Sequence, residues 1–248
     1  MKRLKYAVIL LLGLSMASMT SCTKDPDNGG NGGGNNGGGN GTYNGHAYVD
    51  LGLPSGTLWA TCNVGANTPE SYGEYYAWGE TTPKTIYDWS TYKYCEGTYD
   101  YLTKYCSNPA YGYHCFTDSL TTLLPEDDAA TANWGSGWCI PNYEQFWELF
   151  NNTTNTWTTQ NGVEGVLFTA SNGCNLFFPL AGYKRHEFIY EDTVGGYYWL
   201  NSQKHNGTPT DYTYGAADFQ FYSSNNSINS PSPDRCRGLS IRPVRSTN

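Results

Sequence analysis

Residues 28–41 contain nothing but asparagine and glycine. Such a tract has no apolar side chain to bury and cannot repay the entropy lost on ordering, so a globular fold has to be built from the residues C-terminal to it. The tract itself is expected to be a flexible spacer with a root-mean-square span of about 20 Å. The chain therefore divides into a leader at 1–21, a linker at 22–42 and one folded module at 43–248, within which no second low-complexity break occurs.

The leader has a basic start (Lys2, Arg3, Lys5), an apolar run over 7–14 and small residues (Ala17, Ser18, Ser21) before Cys22, the pattern of an export signal. Its apolar run is too short to span a bilayer. Met19-Thr20-Ser21-Cys22 resembles a bacterial lipobox, with Met19 where leucine is more usual. That resemblance implies cleavage before Cys22 and its lipidation, and several acyl chains on one cysteine anchor stably. Asp25 and Asp27 are similar to the acidic signal that sends Bacteroidetes lipoproteins to the outer face, so display on the cell surface at the outer membrane is expected.

Lys+Arg 14 against Asp+Glu 22 gives a formal charge of -8, and loss of the leader makes the chain more acidic still, which leaves no electrostatic footprint for nucleic acid. Charged residues are 15% and aromatics 16%, with 22 Tyr and 8 Trp; this balance favours strands and sugar-compatible surfaces and excludes long coiled coils and helical bundles. With Cys22 lipidated, an odd set of seven cysteines remains, so at least one is unpaired or intermolecular. The absence of any C-x-x-C and the scatter of His46, His114, His186 and His205 argue against a zinc site.

Residues 46–53 and 57–62, joined by Pro54-Ser55-Gly56, read as a first pair of strands. Asn161-Gly162 and Asn172-Gly173 separate three further strands at 156–160, 163–169 and 174–178, a meander. Later strands are expected at 197–201, 217–222 and 239–244. One helix begins at Pro125, with acids in its first turn, and ends at Gly135. A second lies beyond Pro141, where Asn142 caps, Gln145 completes the box, and Phe146, Leu149 and Phe150 share a face.

Several motifs carry a family resemblance. They are Tyr48-Val-Asp-Leu-Gly-Leu-Pro-Ser-Gly-Thr-Leu-Trp-Ala-Thr-Cys-Asn-Val-Gly-Ala66, Tyr72-Gly-Glu-Tyr-Tyr-Ala-Trp-Gly-Glu-Thr-Thr-Pro-Lys84, Glu126-Asp-Asp-Ala-Ala130, Trp134-Gly-Ser-Gly-Trp138 and Leu239-Ser-Ile-Arg-Pro-Val-Arg245. Together they resemble the Fibrobacter succinogenes major paralogous domain of Bacteroidetes surface lipoproteins. The resemblance implies an α+β, C-type-lectin-like fold, shared with formylglycine-generating enzymes: two short helices with small antiparallel sheets, and chain ends close together. Trp138-Cys139-Ile140-Pro141-Asn142 departs from the family's Trp-Arg-Met-Pro-Thr, and Tyr198-Trp199-Leu200-Asn201-Ser202 from its Tyr-Trp-Ser-Ser. Core drift explains both, or Cys139 has gained a disulfide partner.

The calcium and sugar motifs of true C-type lectins, Glu-Pro-Asn or Gln-Pro-Asp followed by Trp-Asn-Asp, are absent; Trp199-Leu200-Asn201 is only an echo. Glu126, Asp127 and Asp128 have the donors for a cation, but helix capping accounts for them. No reactive cysteine pair and no Gly-x-Ser-x-Gly elbow nominates a catalytic residue, so no enzyme, metal or cofactor is expected. In lectin-like folds ligands sit on long loops opposite the termini. Here residues 183–196, 203–215 and 223–234 are rich in Tyr, Asn, Asp, Ser and Thr, a mixture suited to hydroxyl-rich ligands. Candidate ligand-binding residues are Tyr183, Arg185, Tyr190, Asn201, Asp211 and Tyr214. Arg235, Arg237, Arg242 and Arg245 crowd the end of the chain; alternation places Arg242 and Arg245 on one side of a closing strand, stacked on Trp or paired with carboxylates. The expected partners are the membrane, through the lipid anchor, and a glycan or surface protein. The competing expectation is a structural part of a fimbria-like surface assembly.

Overall fold

The computed structural model describes residues 40–203, 214–223, 227–229 and 233–245. Cys22 and Asp211 lie outside them. Among the described residues the fold is α+β, with two α-helices and several small antiparallel sheets. Strands β1 (Asn40–Tyr43), β2 (His46–Asp50) and β3 (Leu58–Ala60) form one sheet with β12 (Val244–Arg245), in the order β1-β2-β3-β12. The two described ends of the chain thus share a sheet. Among the described residues no helix is long and apolar enough to cross a membrane.

The spacer ends earlier than its composition suggests. Asn44 and Gly45 both adopt the left-handed backbone (φ 49° and 80°) of a two-residue hairpin turn, which folds Asn40 back onto Val49. Backbone pairing needs no side chain, so Asn40 and Gly41 join the sheet despite their sequence. The meander is as expected: β4 (Thr153–Gln160), β5 (Val163–Ala170) and β6 (Asn175–Pro179) pair in that order.

Of the helices, α2 (Tyr143–Asn152) carries the expected capping box: Asn142 accepts from the Gln145 amide at 2.8 Å, and the Gln145 side chain accepts from the Asn142 amide at 3.0 Å. Phe146 and Leu149 are buried against the meander. The first helix is shorter than expected. Pro125–Asp127 is a single 3-10 turn, and α1 (Ala129–Trp134) starts afresh from Asp128, whose carboxylate accepts from the amides of Thr131 (3.0 Å) and Ile140 (2.8 Å). The acids there diverge: Glu126 is exposed, Asp128 caps, and Asp127 faces Lys104, Tyr94 and Tyr105. Among the described residues no three His, Cys, Asp or Glu converge on a metal position.

The third sheet orders β11 (Ser227–Asn229), β10 (Asp218–Tyr222) and β9 (Gly195–Trp199). The closing strand expected at 239–244 is reduced to Val244–Arg245, preceded by single bridges at Leu239 and Ser240. Pro243 has no amide to continue a ladder, although its carbonyl accepts from Ala60 at 2.9 Å. Arg242 and Arg245 part company here. Arg242 is fully buried over the Phe178 ring at 4.6 Å, whereas Arg245 lies over Tyr43 at 3.8 Å. An odd spacing sends the two side chains in opposite directions, and Arg242 bonds carbonyls and the Asn63 amide oxygen instead of a carboxylate. Arg235, also fully buried, does stack on a tryptophan, Trp78, at 5.1 Å. Cys139 is a free thiol pushed up to about 12 by burial, so the disulfide partner considered for it is not found.

Candidate ligand face

Residues 183–196, expected as a loop, contain a hairpin. Strands β7 (Tyr183–Arg185) and β8 (Phe188–Tyr190) pair Tyr183 with Tyr190 and Arg185 with Phe188. The two-residue turn is made possible by His186, which takes the left-handed conformation at φ 54°. The β-forming run Phe-Ile-Tyr after it then has somewhere to pair.

Among the described residues, the backbone hydrogen bonds that tie the hairpin to the body come from β7 and the turn. Lys184 and Gly238 exchange both backbone hydrogen bonds, at 2.7 and 2.9 Å, and His186 and Tyr87 do the same at 2.8 and 3.0 Å. The Lys184 ammonium sits 5.2 Å from the centre of the Tyr75 ring. Because Lys184 spends its amide and carbonyl on Gly238, the hydrogen-bonded pairs between β7 and β8 are Tyr183–Tyr190 and Arg185–Phe188. The strand β8 hangs outside.

Its side chains stay in water. Phe188 is 57% exposed, Ile189 42% and Tyr190 40%, with Val194 and Ile86 exposed nearby in the chain segments that flank the hairpin. The rings of Tyr183 and Tyr190 stack at 5.7 Å and 17°, Tyr197 meets Tyr183 edge-on at 4.9 Å, and the Arg237 guanidinium lies over Tyr183 at 5.1 Å. Behind them the hydroxyl of Tyr197 donates to Glu191 and lies 2.9 Å from the Tyr222 hydroxyl, and burial, then Glu191, holds the Tyr197 phenol in its protonated form. The outcome is an aromatic face with arginine at its rim, set on a rigid base.

Of the sequence-nominated residues, Tyr183, Arg185 and Tyr190 meet here. Tyr214 belongs to a second cluster, edge-on to Tyr99 at 5.2 Å and near Tyr111 and Trp89. The two regions are neighbours, since Asp88, next to Trp89, contacts the His186 ring at 3.3 Å. Asn201 is elsewhere: its amide donates to Pro141 and its carbonyl accepts from Leu123, a structural position between helix and loop. Asp211 lies outside the described residues. Sequence reasoning misses Phe188 and Ile189, because it looks in this stretch for side chains that suit hydroxyl-rich ligands. Their signal is the run Phe188-Ile189-Tyr190 framed by Glu187 and Glu191.

A shallow groove of about 250 Å³ opens separately on the meander, lined by Trp157, Thr158, Thr159, Glu164, Gly165 and Ser223. None of the nominated residues lines it. In comparisons with protein-family models, curated proteins and solved structures, nothing matches this chain significantly.

Proposed function

We propose that this chain is a cell-surface lipoprotein of C-type-lectin-like build, akin to the Fibrobacter succinogenes major paralogous domain, whose module binds glycan or protein ligands through the β7–β8 face. The observation that carries this reading is the exposure of Phe188, Ile189 and Tyr190 in one strand beside the Tyr183–Tyr190 stack. A monomeric surface rarely leaves adjacent large apolar side chains in water without a use for them. Aromatic faces with arginine at the rim suit both sugar rings and protein anchors. The role is binding, without a chemical step.

The test is a glycan array and a panel of purified surface proteins probed with the full chain. Phe188→Ala combined with Tyr190→Ala is expected to weaken any genuine hit by about tenfold or more, since loss of an aromatic anchor costs at least ~1 kcal/mol. Hits that ignore this variant place the ligand elsewhere, and self-association without hits favours a structural part of a surface assembly. The anchor is tested apart from the ligand. Labelled palmitate is expected to enter the wild-type protein in its native host and not Cys22→Ala; equal incorporation overturns the lipid assignment.

A further inference from the structure

We propose that the groove on the meander is a second ligand site, separate from the β7–β8 face, and that it takes a single neutral sugar ring.

The groove begins where the packed face of the meander outruns the core. Trp157 stands opposite Val166 and Thr159 opposite Glu164, so by alternation all four side chains lie on one face of β4 and β5. Val166 is sealed in the core, and Trp157 is half-buried at its margin, edge-on to the Phe221 ring at 6.1 Å. Two residues further along, Thr159 and Glu164 are both exposed. Gln160–Val163 closes the two-residue turn as a bonded pair, which makes Thr159–Glu164 a non-bonded pair, the kind whose side chains stand closer. Glu164 accordingly gives its carbonyl to the Leu180 amide on the other side, at 2.9 Å. Ser223 completes the lining and is held in place by the Val194 carbonyl, which accepts from its amide at 3.0 Å and its hydroxyl at 3.3 Å.

The polar groups around Trp157 are unspent. Among the described residues the Glu164 carboxylate, the Thr159 hydroxyl and the Trp157 indole N–H have no protein partner, and the indole nitrogen is not sealed from water. Glu70 close by is different: its carboxylate accepts from Asn161 at 2.7 Å and Gln160 at 3.5 Å, which steadies the turn beside the groove.

This mixture selects the ligand. An acceptor, a hydroxyl and an N–H donor beside one half-exposed indole match a ring that carries several hydroxyls and an apolar face. A sugar hydroxyl can donate to Glu164 while another accepts from the indole N–H. A cation uses the carboxylate and the ring face but leaves that N–H without an acceptor. Acidic sugars are repelled by Glu164, and Asp192 adds to the negative field, since after burial both carboxylates push up the Tyr72 phenol. Size agrees: pockets for drug-sized molecules run to about 300–1,000 Å³, and this groove holds about 250 Å³.

The full chain is to be run on an array of neutral and acidic glycans, and soluble forms of the hits titrated by calorimetry. Neutral glycans are expected to bind, and sialylated or uronic-acid glycans to be refused. Glu164→Ala is expected to weaken the neutral hits about tenfold at an unchanged urea midpoint, because this side chain is exposed and unbonded. Glu164→Gln keeps an acceptor without the charge and is expected to admit acidic glycans. Trp157→Ala also removes packing against Phe221, so the comparison is with Trp157→Phe, which keeps a ring and is expected to retain part of the binding that the alanine variant loses. No neutral hit, equal binding of acidic glycans by the wild type, indifference to Glu164→Ala, or tighter binding of tetramethylammonium than of any glycan overturns the inference. Hits lost in the Phe188→Ala, Tyr190→Ala variant and untouched by Glu164→Ala keep the β7–β8 reading and reject the groove; the reverse pattern keeps the groove and rejects that face.

Discussion

Arg242→Ala is expected to lower the free energy of unfolding by about 3–5 kcal/mol, seen as a shift of the urea midpoint in tryptophan fluorescence. The guanidinium is fully buried and serves three parts of the chain at once: Nε donates to Asn63 Oδ1 at 2.8 Å, and Nη1 to the carbonyls of Phe177 at 2.9 Å and Thr61 at 3.1 Å. Truncation strips donors from acceptors that water reaches poorly, at roughly 1–3 kcal/mol for each one left bare. It also empties the space above the Phe178 ring, where the guanidinium packs at 4.6 Å. Arg242→Lys is expected to recover less than half of the loss. An ammonium keeps the charge but lacks the planar fork that reaches acceptors on both sides. A cost below about 1 kcal/mol for the alanine variant shows that the neighbouring sheets do not depend on this side chain.

Asp127→Asn is expected to cost about 2–3 kcal/mol at neutral pH. Burial alone raises the pKa of this carboxyl, but hydrogen bonds from Lys104, Tyr105 and Tyr94 more than compensate and leave it below its ordinary value of 3.8. Lys104 Nζ lies 2.5 Å from Oδ2 and the Tyr105 hydroxyl 2.6 Å from it, while the Tyr94 hydroxyl donates to Oδ1. An amide in its place turns one end into a donor facing donors. Lys104, 25% exposed, regains water and limits the damage. A folded-state pKa below the unfolded one adds stability that is complete above about 3.9 and is lost as pH falls through the folded value. The gap between wild type and Asp127→Asn is therefore expected to close as pH drops below that point. Burial raises Asp128 and Asp218 instead, and their contributions run the other way, strongest in acid. The difference between the two proteins isolates Asp127 from them. A gap that stays constant down to pH ~2 removes the carboxylate from the explanation.

Strands that carry their own punctuation are legible in the amino-acid order alone. Asn161-Gly162 and the Asn142–Gln145 box each name a local geometry that nothing distant contradicts, and β4, β5 and α2 form where those signals put them. The elements that differ from expectation are those decided from outside. Asn40 and Gly41 are strand because Asn44-Gly45 brings them to β2, and the closing strand is short because Pro243 interrupts it. The hairpin at 183–190 is hidden because its turn is His186-Glu187, which lacks the glycine or asparagine that advertises a tight reversal. For the same reason the candidate ligand face is only half visible: tyrosines are nominated by their chemistry, whereas Phe188 and Ile189 are exposed by where the hairpin leaves them. Tyr214 and Asn201 have the right chemistry in other places.

The pairing of β1 has a mechanical consequence. Tension on the chain ahead of Asn40 loads the open end of a hairpin, so the rungs from Asn40–Val49 toward Tyr43–His46 break one after another at low force instead of resisting together in shear. The peel is checked at Tyr43, whose carbonyl accepts from the Trp138 indole at 3.2 Å and whose ring lies under Arg245. A tug on that end therefore lengthens the molecule by a few residues before it reaches the core, and the strand recloses when the load is released.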